Sequence, residues 1–295
     1  CNPDTRLVFM TGTLTARAQR TLTGLLHGLP CTVLRSPCVR QDMVVAYETL
    51  PDEDAVRRRT VEVVRHRVQQ QQQQSSAARA NAHTVLVFAP TKALVDAMAA
   101  ALGSTGAFRV CTAHADQPEQ DRRAAVQALR AAAGGQAETR PATATSSSSS
   151  TTTSTTTSPR AGAGSPAAPF VLVATPLLNS GFNVPDLDTV IVAHYAYSAS
   201  DLVQSCSRAR SSAASVHVVF SQACLRAQAL LLRKRADTTA VLAPLPHQQA
   251  FSTIQAIADN AHDIAAVHRI LRQELDGPLL DESSHQQQQH QDAPL

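Results

Sequence analysis

A glutamine and two arginines stand close together in the segment LVQSCSRARSS, residues 202–212. Gln204 lies four positions before Arg208, and Arg210 follows two residues later. A guanidinium group is planar and stays charged, so it donates paired hydrogen bonds to phosphate oxygens. The alternative is that these arginines lie on a charged helix face exposed to solvent.

Two threonines and a histidine follow apolar runs elsewhere in the chain. Thr91 comes after TVLVFAP, Thr175 after FVLVA, and His114 ends FRVCTAH. A hydroxyl near backbone N–H groups at a strand end suits a phosphate oxygen. Thr91 has a helix N-cap as its alternative role, and a lone histidine after a strand is more often structural.

Short apolar runs rich in β-branched residues alternate with helical patterns along the chain, as strands covered on both faces do. They are RLVFM (6–10), TVLVF (84–88), FRVCTAH (108–114), FVLVA (170–174), TVIVAH (189–194) and SVHVVF (215–220). This alternation predicts an α/β fold with a mostly parallel, doubly wound sheet. Ligands of such sheets lie beyond the carboxyl ends of the strands.

Helices are predicted in the gaps. One runs from Thr91 to Leu102 and is closed by Gly103, a residue typical of helix ends. Asp116 and Glu119 form a capping box, with Pro118 in the first turn of a helix that ends at Gly134. A third helix over 251–271 is apolar at helical spacing and is expected to pack on the sheet.

The composition indicates a largely globular protein: 43% of the 295 residues are apolar, enough for a core. The net charge of +3 is too small to indicate nucleic-acid binding by itself. The six cysteines contain no CxxC pair, so free thiols are predicted rather than a zinc site. No run of about 18 apolar residues occurs, so no membrane span is predicted.

Four segments are too polar or too simple in composition to form core and are predicted to be loops, inserts or a tail. They are Gln69–Gln74 with the Ser/Ala residues after it, 131–169, 243–249, and the glutamine-rich tail from His285.

Five of the strand ends together resemble one family. In order, FMTGTLT (9–15), TVLVFAPTKALVDAMAAAL (84–102), VCTAHADQPEQDRR (110–123), VLVATPLLNSGFNVPDLDTVIVAH (171–194) and DLVQSCSRARS (201–211) are similar to helicase motifs III, IV, an H-A segment, V and VI. The chain thus resembles the C-terminal RecA-like half of a superfamily-two helicase, nearest to RecQ-like DNA helicases. The similarity covers most of residues 6–222.

The resemblance implies a set of nucleic-acid contacts. Thr175 of motif V and Thr91 of motif IV correspond to residues that meet the nucleic-acid backbone, and Lys92 adds a charge beside Thr91. His114 corresponds to the histidine of the H-A segment.

The resemblance also implies an ATP-binding set. Gln204 and Arg208 match the first anchors of motif VI, whose arginines reach the γ-phosphate of ATP held by another lobe. Gly181 matches the glycine of motif V, and Asn183 stands where an aspartate usually contacts the ribose. Arg210 occupies a glycine position of motif VI. The spelling Q-S-x-x-R-A-R is also similar to motif VI of Dicer-type RNA helicases, which carry a long insertion between motifs III and IV.

The ATP-binding loop G-x-x-x-x-G-K-[ST] has no counterpart in this sequence, because neither Lys92 nor Lys234 is preceded by glycine. PDEDA (51–55) follows a loop-like TLP, and DESSH (281–285) lies in the tail, so neither is predicted to be an acidic Walker B strand. We therefore expect ATP and Mg²⁺ to be bound mainly by a lobe absent from this chain, which alone should not hydrolyse ATP.

Three regions are predicted. Residues 1–39 resemble the end of a first RecA-like lobe, 40–245 form the second lobe with disordered inserts near 69–80 and 131–169, and 246–295 contain a helix and a disordered tail. The resemblance implies a parent that unwinds DNA 3′-to-5′ using ATP, with DNA as its partner and a nuclear location. The alternatives are a non-catalytic nucleic-acid-binding or regulatory lobe and a fragment of an RNA helicase.

Overall fold

The computed structural model describes residues 15–25, 43–74, 83–134, 168–179, 187–210, 214–238 and 246–276. The strands are β1 (Val45–Leu50), β2 (Thr84–Phe88), β3 (Arg109–Ala113), β4 (Phe170–Ala174), β5 (Thr189–His194) and β6 (Ser215–Ser221). The helices are α1 (Ala16–Leu25), α2 (Glu53–Gln74), α3 (Lys92–Gly103), α4 (Glu119–Ala132), α5 (Ala199–Cys206), α6 (Gln222–Thr238), α7 (Pro246–Asp259) and α8 (Ile264–Leu275), and a 3-10 turn spans Pro176–Asn179.

The strands form one parallel sheet in the order β1-β6-β5-β2-β4-β3. Every residue of β2, β4 and β5 is buried, which explains their continuous apolar sequences. The predicted doubly wound α/β fold is confirmed.

Helices cover both faces of the sheet. On one face, α2 and α3 bury Val56, Val64, Val95 and Met98 against β2, β4 and β5. On the other face, α4 to α8 pack in a second core, with Leu129, Leu202, Leu225, Phe251 and Leu271 among its buried side chains. Both faces are therefore closed to water, and the ends of the strands remain as places for a site.

Strand β1 was not predicted, and the expectation of a loop-like segment before PDEDA is wrong. β1 is an edge strand that pairs only with β6. Only Val45 of its six residues is buried, so the apolar run that marks a central strand is missing. Glu48 accepts hydrogen bonds from Arg59 of α2 at 2.8 and 2.5 Å. Thr49 donates to the Ala258 carbonyl at 2.6 Å.

Two predicted helix boundaries differ from the structure. Gln69–Gln74, expected to be loop, continue α2, because glutamine is a good helix former. The capping box of Asp116 and Glu119 is also wrong: Pro118 is the N-cap of α4 without a side-chain hydrogen bond, since the Asp116 carboxylate binds Lys92 instead. The end of α4 agrees with prediction, because Gly134 has φ 79°.

The single helix predicted over 251–271 is two helices. Asp263 caps α8 by accepting from the Ala266 N–H at 3.0 Å, and α7 begins at Pro246, inside a segment expected to be loop. The packing prediction is confirmed for Phe251, Ile254, Ile257, Val267 and Leu271, which are buried in the same core as the sheet. It is wrong for Ile264, also expected on this apolar face, which is exposed at the start of α8.

Several predictions lie outside the described residues: the strand at 6–10, most of the 131–169 insert, the glutamine-rich tail, and Gly181 and Asn183. In the part of the chain that the structure describes, no helix is long and apolar enough to cross a membrane. The same residues contain no group of three His, Cys, Asp or Glu side chains arranged to hold a metal ion.

Candidate functional site

Three neighbouring strands end in register and bring the predicted polar residues to one edge of the sheet. Ala174 of β4 pairs with Phe88 of β2 and with Ala113 of β3. The Thr175 N–H donates to the Ala113 carbonyl at 3.1 Å. Thr91, Thr175 and His114 each follow one of these ends, so the structure brings them together at the carboxyl edge, as the sequence predicts.

Thr91 is the N-cap of α3. Its hydroxyl oxygen accepts from the Leu94 N–H at 3.3 Å, and its carbonyl accepts from the Val95 N–H at 3.0 Å. The N-cap role of Thr91 is therefore confirmed. A hydroxyl has one proton to donate besides its acceptor sites, so this bond leaves the proton available to a ligand oxygen.

Thr175 begins the turn after β4 and is half-buried. Its carbonyl accepts from the Leu178 N–H at 3.2 Å, which holds the turn Pro176–Asn179 against the strand end. Leu177 in this turn leaves 53% of its surface exposed. A hydroxyl and an apolar side chain therefore stand next to each other at the surface.

Two side-chain contacts join α3 to the loop after β3. Lys92 binds the Asp116 carboxylate, and both side chains are largely exposed. His114 Nε2 lies 3.4 Å from Asp96 Oδ1, and the His114 side chain is only 12% exposed. The Lys92 ammonium holds the pKa of Asp116 below its usual range. The Lys92 ammonium, which is predicted to meet phosphate, is thus already paired with a carboxylate.

Gln204, Arg208 and Arg210 form a second group. Ser198 caps α5 by accepting from the Asp201 N–H at 3.1 Å, and Gln204 is half-buried in the last turns of this helix. Arg208 and Arg210 lie beyond its end, so the interpretation of both as a charged helix face is wrong. Because α5 has eight residues, it is about 12 Å long, and Arg208 and Arg210 lie beyond the end opposite the Ser198 cap.

The two arginines have different environments. Arg208 is half-buried and Arg210 is exposed. Burial, together with the neighbouring positive charge of Arg210, lowers the pKa of Arg208. The desolvated guanidinium remains charged, because arginine does not lose its proton in proteins. Of the two, Arg208 is held more firmly by the fold.

His194, at the end of β5, was not singled out from the sequence. It is fully buried and has φ 73°, and the Tyr195 N–H donates to the Ala193 carbonyl at 3.1 Å across it. This is a tight γ-turn with a left-handed backbone that costs free energy for a residue other than glycine. Burial lowers the pKa of His194 to about 4, so the ring is neutral at pH 7.

A sulfur and two charged side chains lie next to His194. Its Nδ1 is 3.9 Å from Cys224 Sγ, and the Cys224 thiol donates to Glu53 Oε1 at 3.4 Å. Burial raises the pKa of Cys224 to about 11, so the sulfur is a protonated thiol rather than a nucleophilic thiolate. Arg57 lies 3.9 Å from Glu53. The cluster positions the segment between β5 and α5.

The acids of PDEDA are engaged by the helix that follows them. Asp52 accepts from the Ala55 N–H at 2.7 Å and caps α2. Glu53 and Asp54, in the first turn, pair with Arg57. Carboxylates at a helix N-terminus are stabilised by the helix dipole. The acidic residues that follow β1 are therefore explained by their place at the start of α2.

Comparison with known proteins gives a likeness in fold. No protein-family model matches the chain, and no curated protein matches it. S. cerevisiae Dbp5 bound to RNA and ADP BeF3 is similar at a TM-score of 0.51 and 14% identity, covering 88% of this chain and 56% of that one. The DEAD-box helicase Mss116 bound to ssRNA and UDP-BeF has a TM-score of 0.49 and 11% identity, covering 78% of this chain and 38% of that one.

A DEAD box protein from Methanococcus jannaschii is also similar, at a TM-score of 0.42 and 12% identity, covering 73% of this chain and 46% of that one. The chain thus spans about half or less of the length of these structures. Identities this low establish architecture and not activity. The six-stranded parallel sheet with helices on both faces is a RecA-like α/β fold, similar to that of the Dbp5 structure.

Proposed function

We propose that this chain is the C-terminal RecA-like lobe of an ATP-dependent superfamily-two helicase. The observation that carries the proposal is the meeting of Thr91, Thr175 and His114 at one strand edge of a RecA-like sheet. These residues are far apart in the sequence, and each belongs to a segment that resembles a helicase motif.

In this proposal the carboxyl edge binds the backbone of a nucleic acid. The hydroxyls of Thr91 and Thr175 donate to phosphate oxygens, and Lys92 supplies a positive charge at the start of α3, where backbone N–H groups also favour an anion. His114 supports this edge from inside the fold, because its side chain is mostly buried and its ring lies beside Asp96. Such contacts hold the strand without reading its sequence.

The second group serves ATP. Arg208 donates to the γ-phosphate of ATP held by another lobe, and Gln204, Arg210, Gly181 and Asn183 belong to the same site. ATP and Mg²⁺ are bound mainly by that other lobe. Support comes from the position of Arg208 just beyond α5, half-buried and next to Arg210.

The proposal has two versions, one in which the nucleic acid is DNA and one in which it is RNA. The RecQ-like motif order favours DNA, 3′-to-5′ unwinding and a nuclear location. The Q-S-x-x-R-A-R spelling favours RNA, and the Dbp5 structure of similar fold is bound to RNA. The remaining candidate is a lobe that binds nucleic acid without taking part in ATP hydrolysis. In that case neither ATP nor an added first lobe should change the affinity of the chain for nucleic acid.

Binding of labelled single strands to the 295-residue chain tests the proposal. We expect affinity for both dT20 and rU20 at low salt that falls as salt is raised, and a several-fold loss in Thr175→Ala. Thr253→Ala is the matched control, because it removes a half-buried hydroxyl that lies on α7 beside Glu274. Absence of binding, or equal affinity of the Thr175 and Thr253 variants, would overturn the backbone-binding role.

A competition measurement then separates the two versions. If dT20 displaces rU20 at equal concentration, the result supports DNA as the partner. If double-stranded RNA displaces both strands, the result supports a fragment of a Dicer-type RNA helicase. Phosphate release from ATP in the presence of each strand is expected to stay at background, because phosphoryl transfer needs the Mg²⁺ and phosphate site of the other lobe.

A further inference from the structure

Tyr197 is a large aromatic side chain at the surface, in a chain with only 3% aromatic residues and no tryptophan. It leaves 40% of its surface exposed. It lies between β5 and α5, directly before the N-cap Ser198. None of the roles assigned above uses it.

The ring of Tyr197 is held in place from two sides. Its hydroxyl donates to the Pro90 carbonyl at 2.7 Å, which ties it to the loop that precedes Thr91. Its ring meets the Tyr195 ring edge-to-face, with centroids 5.5 Å apart. The buried Tyr195 meets Phe251 of α7 in the same way at 5.9 Å. Two rings, those of Phe251 and Tyr195, therefore connect the core to the Tyr197 ring at the surface, so little side-chain entropy remains to be lost on binding.

The sheet order places Tyr197 in line with the phosphate-binding edge. β5, β2 and β4 are neighbours in that order, and they lead to Tyr197, Thr91 and Thr175, respectively. Adjacent strands are about 4.8 Å apart, so this row crosses roughly 10 Å, with Leu177 exposed at its far end. An exposed ring next to backbone-binding hydroxyls is the combination that single-stranded nucleic-acid sites use.

We propose that Tyr197 is a base-stacking site for single-stranded nucleic acid; this rests on the proposed function of the carboxyl edge. The phosphates lie along Thr91 and Thr175, and one nucleobase lies against the Tyr197 ring. Every base has a π-face, so the contact is tolerant of sequence and is open to both DNA and RNA. It adds a base contact to an edge that otherwise touches only the backbone.

The competing role for Tyr197 is a purely structural link between two loops through its hydroxyl. Tyr197→Phe separates the two roles, because it keeps the ring and removes the hydrogen bond to Pro90. If Tyr197 stacks on a base, the Phe variant binds within about twofold of the unmodified chain, whereas Tyr197→Ala binds roughly 5- to 150-fold more weakly. Leu230→Ala is the control, since Leu230 is an exposed apolar residue of α6.

The experiment uses DNA and RNA strands carrying a single 2-aminopurine, whose fluorescence is quenched by stacking, and matched strands with an abasic site at that position. We expect quenching with the unmodified chain and with Tyr197→Phe, and none with Tyr197→Ala. On the abasic strands the unmodified chain and Tyr197→Ala should bind equally. Tyr197→Leu keeps an apolar side chain of similar size but has no π-face, so it should lose the same affinity and quenching as Tyr197→Ala. It serves as the second variant if Tyr197→Ala does not fold.

Two outcomes overturn the proposal while leaving the proposed function intact. One is binding to the strands that Tyr197→Ala and Tyr197→Leu do not weaken. The other is an equal loss in the Phe and Ala variants, which would assign the effect to the hydroxyl. A chain that binds none of the strands overturns the stacking site and the proposed function together, so the two failures are distinguishable.

Discussion

The two ends of the central strands carry similar polar side chains in different arrangements. At the amino ends, Asp188 Oδ2 accepts from the Thr84 N–H at 2.8 Å and from its hydroxyl at 2.9 Å. Thr189 and Ser215 share a hydrogen bond of 3.0 Å, and the buried His83 lies 3.6 Å from Asp188. The amino edge is closed by groups that satisfy one another.

At the carboxyl ends several polar groups reach the surface, whereas His194 is fully buried. Thr91 and Thr175 are half-buried, Lys92 and Asp116 are largely exposed, and His194 keeps a left-handed backbone. Buried polar groups that pair internally stabilise a fold, whereas strained and exposed groups cluster where ligands bind. We therefore propose that the amino end of this sheet serves stability and that the carboxyl end serves binding.

The largest expected effect is the loss of folding stability when a polar contact of the amino edge is removed. Asp188→Ala removes an acceptor of two hydrogen bonds and leaves the Thr84 N–H unsatisfied, so the free energy of unfolding should fall by about 4 kcal/mol. Urea denaturation at pH 7 measures this. Asp259→Ala, an exposed carboxylate on α7, should change stability by less than about 0.5 kcal/mol. A loss below about 1 kcal/mol for Asp188→Ala would contradict the closed-edge interpretation.

The next effect concerns the pH dependence that His194 confers. Its pKa in the folded chain is about 4 against about 6.5 when unfolded, so below pH 6.5 the unfolded state binds a proton that the folded state does not. Stability should therefore fall as pH drops from 6.5 to 4, with about 3 kcal/mol from His194.

Urea denaturation between pH 7 and pH 4 checks this contribution. His194→Asn removes the titration while asparagine tolerates the left-handed backbone. The groups around the ring, Cys224, Glu53 and Arg57, stay in both proteins. The loss of stability on acidification should be smaller in the variant, and equal pH dependence would show that burial does not depress this pKa.

The smallest effect is expected at the carboxyl edge, where the proposed function has Asp116 compete with phosphate for Lys92. Asp116→Asn should strengthen binding of dT20 or rU20 at low salt by roughly threefold, because an exposed ion pair is weak. Asp259→Asn serves as the control for net charge. Fluorescence anisotropy over a salt series measures both, and an unchanged or weaker affinity in the Asp116 variant would argue against Lys92 as a phosphate contact.

Much of the fold could be predicted from the sequence. The central strands β2, β4 and β5 are buried at every residue, so their sequences are almost continuously apolar, and the strand-end rule places Thr91, Thr175 and His114 together. β1 lies at the sheet edge and includes Tyr47 and Glu48, so it lacks that signal. Local patterns describe what a segment buries, and they are strongest where burial is complete.

The details that determine chemistry depend on contacts between distant segments. Asp116 has the letters of a helix cap but binds Lys92. His194 looks like the last residue of a strand, and only the packing of α6 and α2 around it accounts for its backbone. Tyr197 is placed by Pro90 and Tyr195. Tyr197 was not singled out from the sequence, and the signal that could have found it is a tyrosine directly before Ser198, the N-cap of α5.

Hydrogen–deuterium exchange of the 295-residue chain, with and without saturating dT20 or rU20, tests the division between the two edges most directly. Binding at the carboxyl edge predicts protection of amides in 89–94, 113–117 and 175–179, with unchanged exchange in 83–84, 188–189 and 214–215. Protection confined to the amino-edge segments, or no protection at saturation, would contradict the assignment of the carboxyl edge as the nucleic-acid site.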